Sequence, residues 1–272
     1  MTSTSPASPA SQAGIARAAI PERTLRTDRW WLQPAITFGV LFAFVVYSTV
    51  RAFSNTAYSV ERYDYISPFY SPCLALNCAP GSSHLGQPLP DLGIISPALV
   101  ILVVPLGFRL TCYYYRKAYY RAFWLSPPAC AVAEPHTTYT GETRFPLILQ
   151  NLHRYFFYLG LVLNVILTYD AVIAFKGADG GVGVGVGTLV LVVNATLLWL
   201  YSLSCHSCRH AVGGRLKHFS RHPVRYRLWT LVSRLNARHM QLAWMSLLWV
   251  AFADLYVSLV ASDVISDLRL FN

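Results

Sequence analysis

The run from Gly183 to Ser204, GVGVGTLVLVVNATLLWLYSLS, holds 22 consecutive residues without one charged side chain. A helix of about 20 apolar residues is what the ~30 Å hydrocarbon core of a bilayer requires. Four other stretches have the same character, near Trp31–Phe53, Leu92–Tyr115, Leu149–Phe175 and Met240–Ala261. The whole chain of 272 residues is 54% hydrophobic and 12% charged, with mean hydropathy +0.40. That is half the charge of a soluble domain, about 25%. The expectation is an all-α, polytopic membrane protein with five transmembrane helices in a bundle.

The formal net charge of +10 does not mark a nucleic-acid surface, because the basic residues gather between the apolar spans. Arg17, Arg23, Arg26 and Arg29 precede the first span. Arg116, Lys117, Arg121 and Arg144 join the second to the third, and eight more from Arg209 to Arg238 join the fourth to the fifth. The alternate connections and the C-terminus carry only Arg51, Arg62, Lys176 and Arg269, beside six carboxylates. The excess of Lys and Arg on one side places the N-terminus in the cytoplasm and the C-terminus outside. Residues 1–29, rich in Ser, Thr, Ala and Pro, are expected as a disordered cytoplasmic tail. Residues 30–262 form the membrane domain, and 263–272 a short outer tail. The Gly-Val alternation from Gly181 to Gly187 reads as a turn leading into a close-packed helix start. Cys73 and Cys78 share an outer loop, where they either bridge or stay as free thiols.

Beyond Ser204 comes Cys205-His206-Ser207-Cys208-Arg209-His210, two thiols and two imidazoles in six residues. The topology sets His153 at the start of span three and His239 at the start of span five, at the same membrane level, with Cys112 at a similar depth. On a continuous helix Cys205 and Cys208 lie ~60° apart and share a face, while His206 and His210 point away. A centre held by that cysteine pair would recruit His153 and His239, or His206 or His210 if the last turn unwinds. Two thiolates and two imidazoles suit tetrahedral zinc or a [2Fe–2S] cluster with Cys on one iron and His on the other. A single bis-histidine haem b is the rival, using His153 or His239 with His206 or His210. Arg154, Tyr155 and Trp244, with Tyr119 and Tyr120, would either face a quinone head group or anchor the interface. Asp254, near mid-span, would serve a proton path or a helix–helix hydrogen bond.

With Cys205-x-x-Cys208 closing span four, His153 opening span three and His239 opening span five, residues 30–262 resemble the membrane anchor of succinate dehydrogenase and fumarate reductase complexes. The likeness is greatest to the actinobacterial succinate dehydrogenases whose anchor carries a Rieske-type [2Fe–2S] centre in place of haem. The Cys-x-His and Cys-x-x-His pattern of soluble Rieske proteins is absent, and so is the outer histidine pair of two-haem anchors. The resemblance implies a multi-pass subunit of a bacterial plasma membrane. It implies a flavoprotein subunit and an iron–sulfur subunit docked on the cytoplasmic face. Electrons would pass through a centre held by Cys205, Cys208, His153 and His239, with His210 as a further ligand candidate, to menaquinone or ubiquinone. Arg154, Tyr155 and Trp244 would line the quinone site. The alternatives are a single-haem cytochrome b subunit of another dehydrogenase, and a cofactor-free transporter or assembly protein, for which Pro105, Gly107 and Gly160 would mark broken helices.

Overall fold

A computed structural model describes residues 26–132, Pro135 and 145–272. The tail expected over residues 1–29 lies outside the described residues up to residue 25; Arg26 is held by Asp28 and by the carbonyl of Cys130. The helices are α1 (Leu32–Ser54), α2 (Pro97–Leu110), α3 (Tyr113–Phe123), α4 (Phe145–Ile173), α5 (Val186–Leu203), α6 (His206–Gly213), α7 (Pro223–Asn236) and α8 (His239–Ala261). The short strands β1 (Ser59–Val60) and β2 (Tyr65–Ile66) form one antiparallel pair, and β3 (Val184–Gly185) and β4 (Arg269–Phe271) another. The central α5 packs on α8 and α4, α2 lies against α4, and α1 meets α3. Residues such as Phe42, Val50 and Val165 stay exposed on the helix flanks. A water-soluble bundle would bury such residues, and a bilayer solvates them.

α1, α4, α5 and α8 are long and apolar enough to cross a membrane. The second span departs from expectation. Leu92–Ile95 are not helical; α2 begins after Ser96 with Pro97 at its first position, where a missing N–H costs nothing. It stops at Leu110, and α3 leaves at 81°. At 1.5 Å per residue α2 is about 21 Å long, short of a ~30 Å core. The change of direction follows from composition, since Arg116, Lys117 and Arg121 make α3 too polar to continue through lipid. Span four breaks in the same way: α5 ends at Leu203, Cys205 is extended (φ −66°, ψ 146°), and α6 starts afresh. Both breaks lie at the end of the bundle rich in Lys and Arg.

At the other end, Cys73 and Cys78 form a disulfide inside a loop packed around Tyr58, Phe69 and Tyr70. The C-terminal residues pair with β3. The Gly-Val run does what a close-packed helix start needs. Tyr65 lies over Gly187, locked by its hydroxyl to Thr188 and Asp267 at 3.1 and 2.9 Å. A Cβ on Gly187 would sit 2.3 Å from the Tyr65 ring. Gly187→Ala is therefore expected to lower stability by about 1–3 kcal/mol, read as a fall in the thermal unfolding midpoint of the detergent-solubilised protein.

Candidate metal centre

The two helix breaks face each other across a cavity of about 430 Å³, lined by Thr111–Tyr114, His153, Cys205–Ser207, Asn236 and His239. Each break contributes a hydroxyl residue followed by a cysteine, Thr111-Cys112 and Ser204-Cys205. Each hydroxyl fixes one histidine. Thr111 Oγ1 donates its proton to the Gly107 carbonyl (2.7 Å) and lies 2.9 Å from His153 Nδ1. Its single hydrogen is already used, so it accepts from Nδ1–H, and His153 Nε2 keeps its lone pair. Ser204 Oγ likewise donates to the Tyr201 carbonyl (2.8 Å) and accepts from His239 Nδ1–H (2.7 Å).

The free Nε2 atoms point at sulfur. His153 Nε2 is 3.1 Å from Cys205 Sγ, and His239 Nε2 is 3.5 Å from Cys112 Sγ. Ring stacking holds both imidazoles: Phe108 lies against His153 at 5.0 Å and 17°, Tyr201 against His239 at 5.2 Å and 12°. All four donors are buried. Metal-ligating histidines nearly always donate their second ring N–H to an oxygen, which sets tautomer and ring orientation. Both histidines here meet that condition in advance. Among the described residues no three His, Cys, Asp or Glu side chains converge on one point. The donors stand instead as two thiol–imidazole pairs. Two thiols and two imidazoles around one cavity are a donor set that zinc or a [2Fe–2S] centre could take. Among the described residues the buried Tyr201 hydroxyl meets no hydrogen-bonding oxygen or nitrogen.

Of the residues singled out from sequence, Cys205, His153 and His239 are brought together. Cys208 is not: Cys205 is the extended residue before α6, Cys208 lies inside α6, and Cys208 does not line the cavity. Cys112, not singled out as a ligand from sequence, lines the cavity instead. His210 stands off the cavity with its ring 5.0 Å from that of His206. His206 reaches the wall, and burial, with His210 and Arg209 beside it, holds its pKa below the usual histidine value. Arg154 and Tyr155 face outward, Tyr155 65% exposed, and Trp244 packs beside Tyr115 at 6.2 Å. None of these three lines the cavity.

The family model for "Actinobacterial succinate dehydrogenase subunit SdhC" matches residues 32–263. No curated protein matches. Among solved structures, a chain of the "Mycobacterium smegmatis Sdh1 complex in the apo form" is 60% identical, with TM-score 0.87 over 94% of this chain and 97% of that one.

Proposed function

Because this chain belongs to the actinobacterial succinate dehydrogenase subunit SdhC family, a family of multi-pass membrane subunits of an oxidoreductase, we propose that it anchors a flavoprotein subunit and an iron–sulfur subunit and relays their electrons to quinone. In this reading the bent α2–α3 pair counts as the second of five spans, with the N-terminus cytoplasmic. The basic connections then form the docking face for the soluble subunits, and the Cys/His cavity opens just beneath it.

The observation that carries the reading is the pair of Nδ1-anchored histidines, each aimed through Nε2 at a buried cysteine. Cys112 and Cys205 would supply the thiolates of a [2Fe–2S] centre, and His153 and His239 the imidazoles. Such a centre, when bound, takes up and passes on one electron, at a potential raised by histidine ligation. The protein's own part is to hold the donors dry and in register. Thr111 and Ser204 keep the imidazoles facing inward, and Phe108 and Tyr201 close the apolar side. A bis-histidine haem is the weaker fit, because it has no use for a thiol beside each imidazole.

Low-temperature EPR of the purified complex tests this. A rhombic signal with the low average g of mixed histidine–cysteine ligation is expected, with two irons per complex beyond those of the soluble subunits. Sharp α and β bands in a reduced-minus-oxidised spectrum, with no such signal, would overturn it in favour of haem.

A further inference from the structure

The two histidines of the Cys/His cavity rest on different rings. Phe108 stacks on His153 and Tyr201 on His239 at nearly equal distances and tilts, 5.0 Å and 17° against 5.2 Å and 12°. Phenylalanine therefore suffices for the packing, and Tyr201 carries a hydroxyl that packing does not need. The residue is 1% exposed, and its hydroxyl finds no oxygen or nitrogen partner among the described residues. Buried hydroxyls without a partner are uncommon and call for an explanation. The groups around it include Cys112 and Cys205, and Cys112 is the one it approaches as a side-chain hydrogen-bonding neighbour. A thiol is a weak acceptor, so the hydroxyl stays unsatisfied while that sulfur keeps its proton. Deprotonated as a metal ligand, the same sulfur becomes the acceptor of a charge-assisted bond. The other sulfur is already served, since Ser207 N–H donates to Cys205 Sγ at 3.4 Å.

We propose that the Tyr201 hydroxyl donates to the Cys112 sulfur of the assembled centre and so raises its reduction potential, as the Ser207 N–H does through Cys205. The proposal rests on the [2Fe–2S] reading above. Tyr201 is a positioning residue, acting through Cys112. One electron from the docked iron–sulfur subunit adds negative charge that spreads onto the sulfurs. A fixed O–H dipole aimed at one of them stabilises the reduced state more than the oxidised one. No proton moves, and the hydroxyl keeps its hydrogen in both states. The stacking supplies the aim. Tyr201 lies nearly parallel to an imidazole whose Nε2 is 3.5 Å from the same sulfur, so phenol and imidazole reach Cys112 together. Arg109 at 4.8 Å and Phe108 at 5.1 Å hold the ring in place.

The test uses the whole purified complex and two changes at one position. Tyr201→Phe keeps the ring and deletes the oxygen. Placing 3-fluorotyrosine at position 201 by codon reassignment keeps the oxygen and makes its hydrogen a stronger donor. An EPR-monitored redox titration of the membrane centre at neutral pH reads both. The midpoint potential is expected to fall with Tyr201→Phe and to rise with 3-fluorotyrosine, the rhombic signal and the iron content being retained in each. Potentials that stay at the unmutated value, or that shift the same way in both variants, would overturn the proposal, because a packing change has no reason to reverse with donor strength. Should Tyr201→Phe fail to assemble, the direction of the 3-fluorotyrosine shift decides. An unmutated complex without the rhombic signal would sink the [2Fe–2S] reading itself, whereas a signal present with potentials unmoved would sink only the role of Tyr201.

Discussion

Cys112→Ser is expected to abolish the EPR signal of the membrane centre and to cut succinate:quinone turnover by about a hundredfold or more, whereas Cys208→Ser leaves both in place. The two cysteines are alike in burial and differ in surroundings. Cys112 Sγ faces a histidine nitrogen whose lone pair is free because the ring's one N–H, on Nδ1, donates to Ser204 Oγ. Cys208 lies off the cavity lining, with no imidazole hydrogen-bonded to it among the described residues. Removing a ligand should cost more than the 10–100-fold typical of losing an outer-shell partner, since a serine hydroxyl replaces thiolate poorly at iron. Cys208→Ser places a hydroxyl in an apolar contact and should cost only about 1–3 kcal/mol of stability. EPR and iron content of the two purified variants read the difference. A lost signal in Cys208→Ser with a retained one in Cys112→Ser would restore the ligand pair spaced three apart.

The membrane character of the chain was legible because it depends only on runs of apolar residues, and Gly183–Ser204 or Met240–Ala261 admits no other reading. The level of the donors was legible for the same reason: span ends fix depth, so His153, Cys205 and His239 fell together before any contact was known. That Cys112, and not Cys208, faces a histidine nitrogen was not legible, because it turns on one broken helix. The 60° argument assumes Cys205 and Cys208 lie on a continuous helix, and Cys205 is extended. Yet the sequence does carry a signal for the break. Thr111-Cys112 and Ser204-Cys205 repeat a hydroxyl–cysteine step where an apolar run gives way to a basic one. Hydroxyl residues compete for local backbone groups and favour helix ends. Arg154, Tyr155 and Trp244 were chosen for depth alone, and depth says nothing of direction around a helix. Arg109 lies within an apolar run, and the run alone does not say which neighbours its guanidinium meets.

Asp254→Leu is expected to lower the stability of the membrane domain by about 3–5 kcal/mol, the cost of removing one partner from a buried ion pair. The carboxylate is fully buried on α8, and its hydrogen bonds run to α1 and to Ser67 of the loop that follows it. Arg51 of α1 reaches Oδ2 through Nε at 2.8 Å and Oδ1 through Nη2 at 3.2 Å. Tyr47 donates to Oδ2 at 2.5 Å and Ser67 to Oδ1. Arg51 spends its remaining donors on the Ser54 hydroxyl and the carbonyls of Thr56 and Ala57, so the same knot fixes the start of the disulfide loop. With both oxygens occupied, Asp254 acts as a clamp between α1 and α8, and a travelling proton would have to break the clamp each time. Loss of the carboxylate leaves Arg51 buried and uncompensated, which is where most of the penalty lies. The double variant Arg51→Leu/Asp254→Leu should therefore recover much of what Asp254→Leu loses, read from thermal unfolding midpoints and yields of assembled complex. The opposite pattern, an Asp254→Leu protein that folds normally but no longer reduces quinone, would return this residue to the proton path.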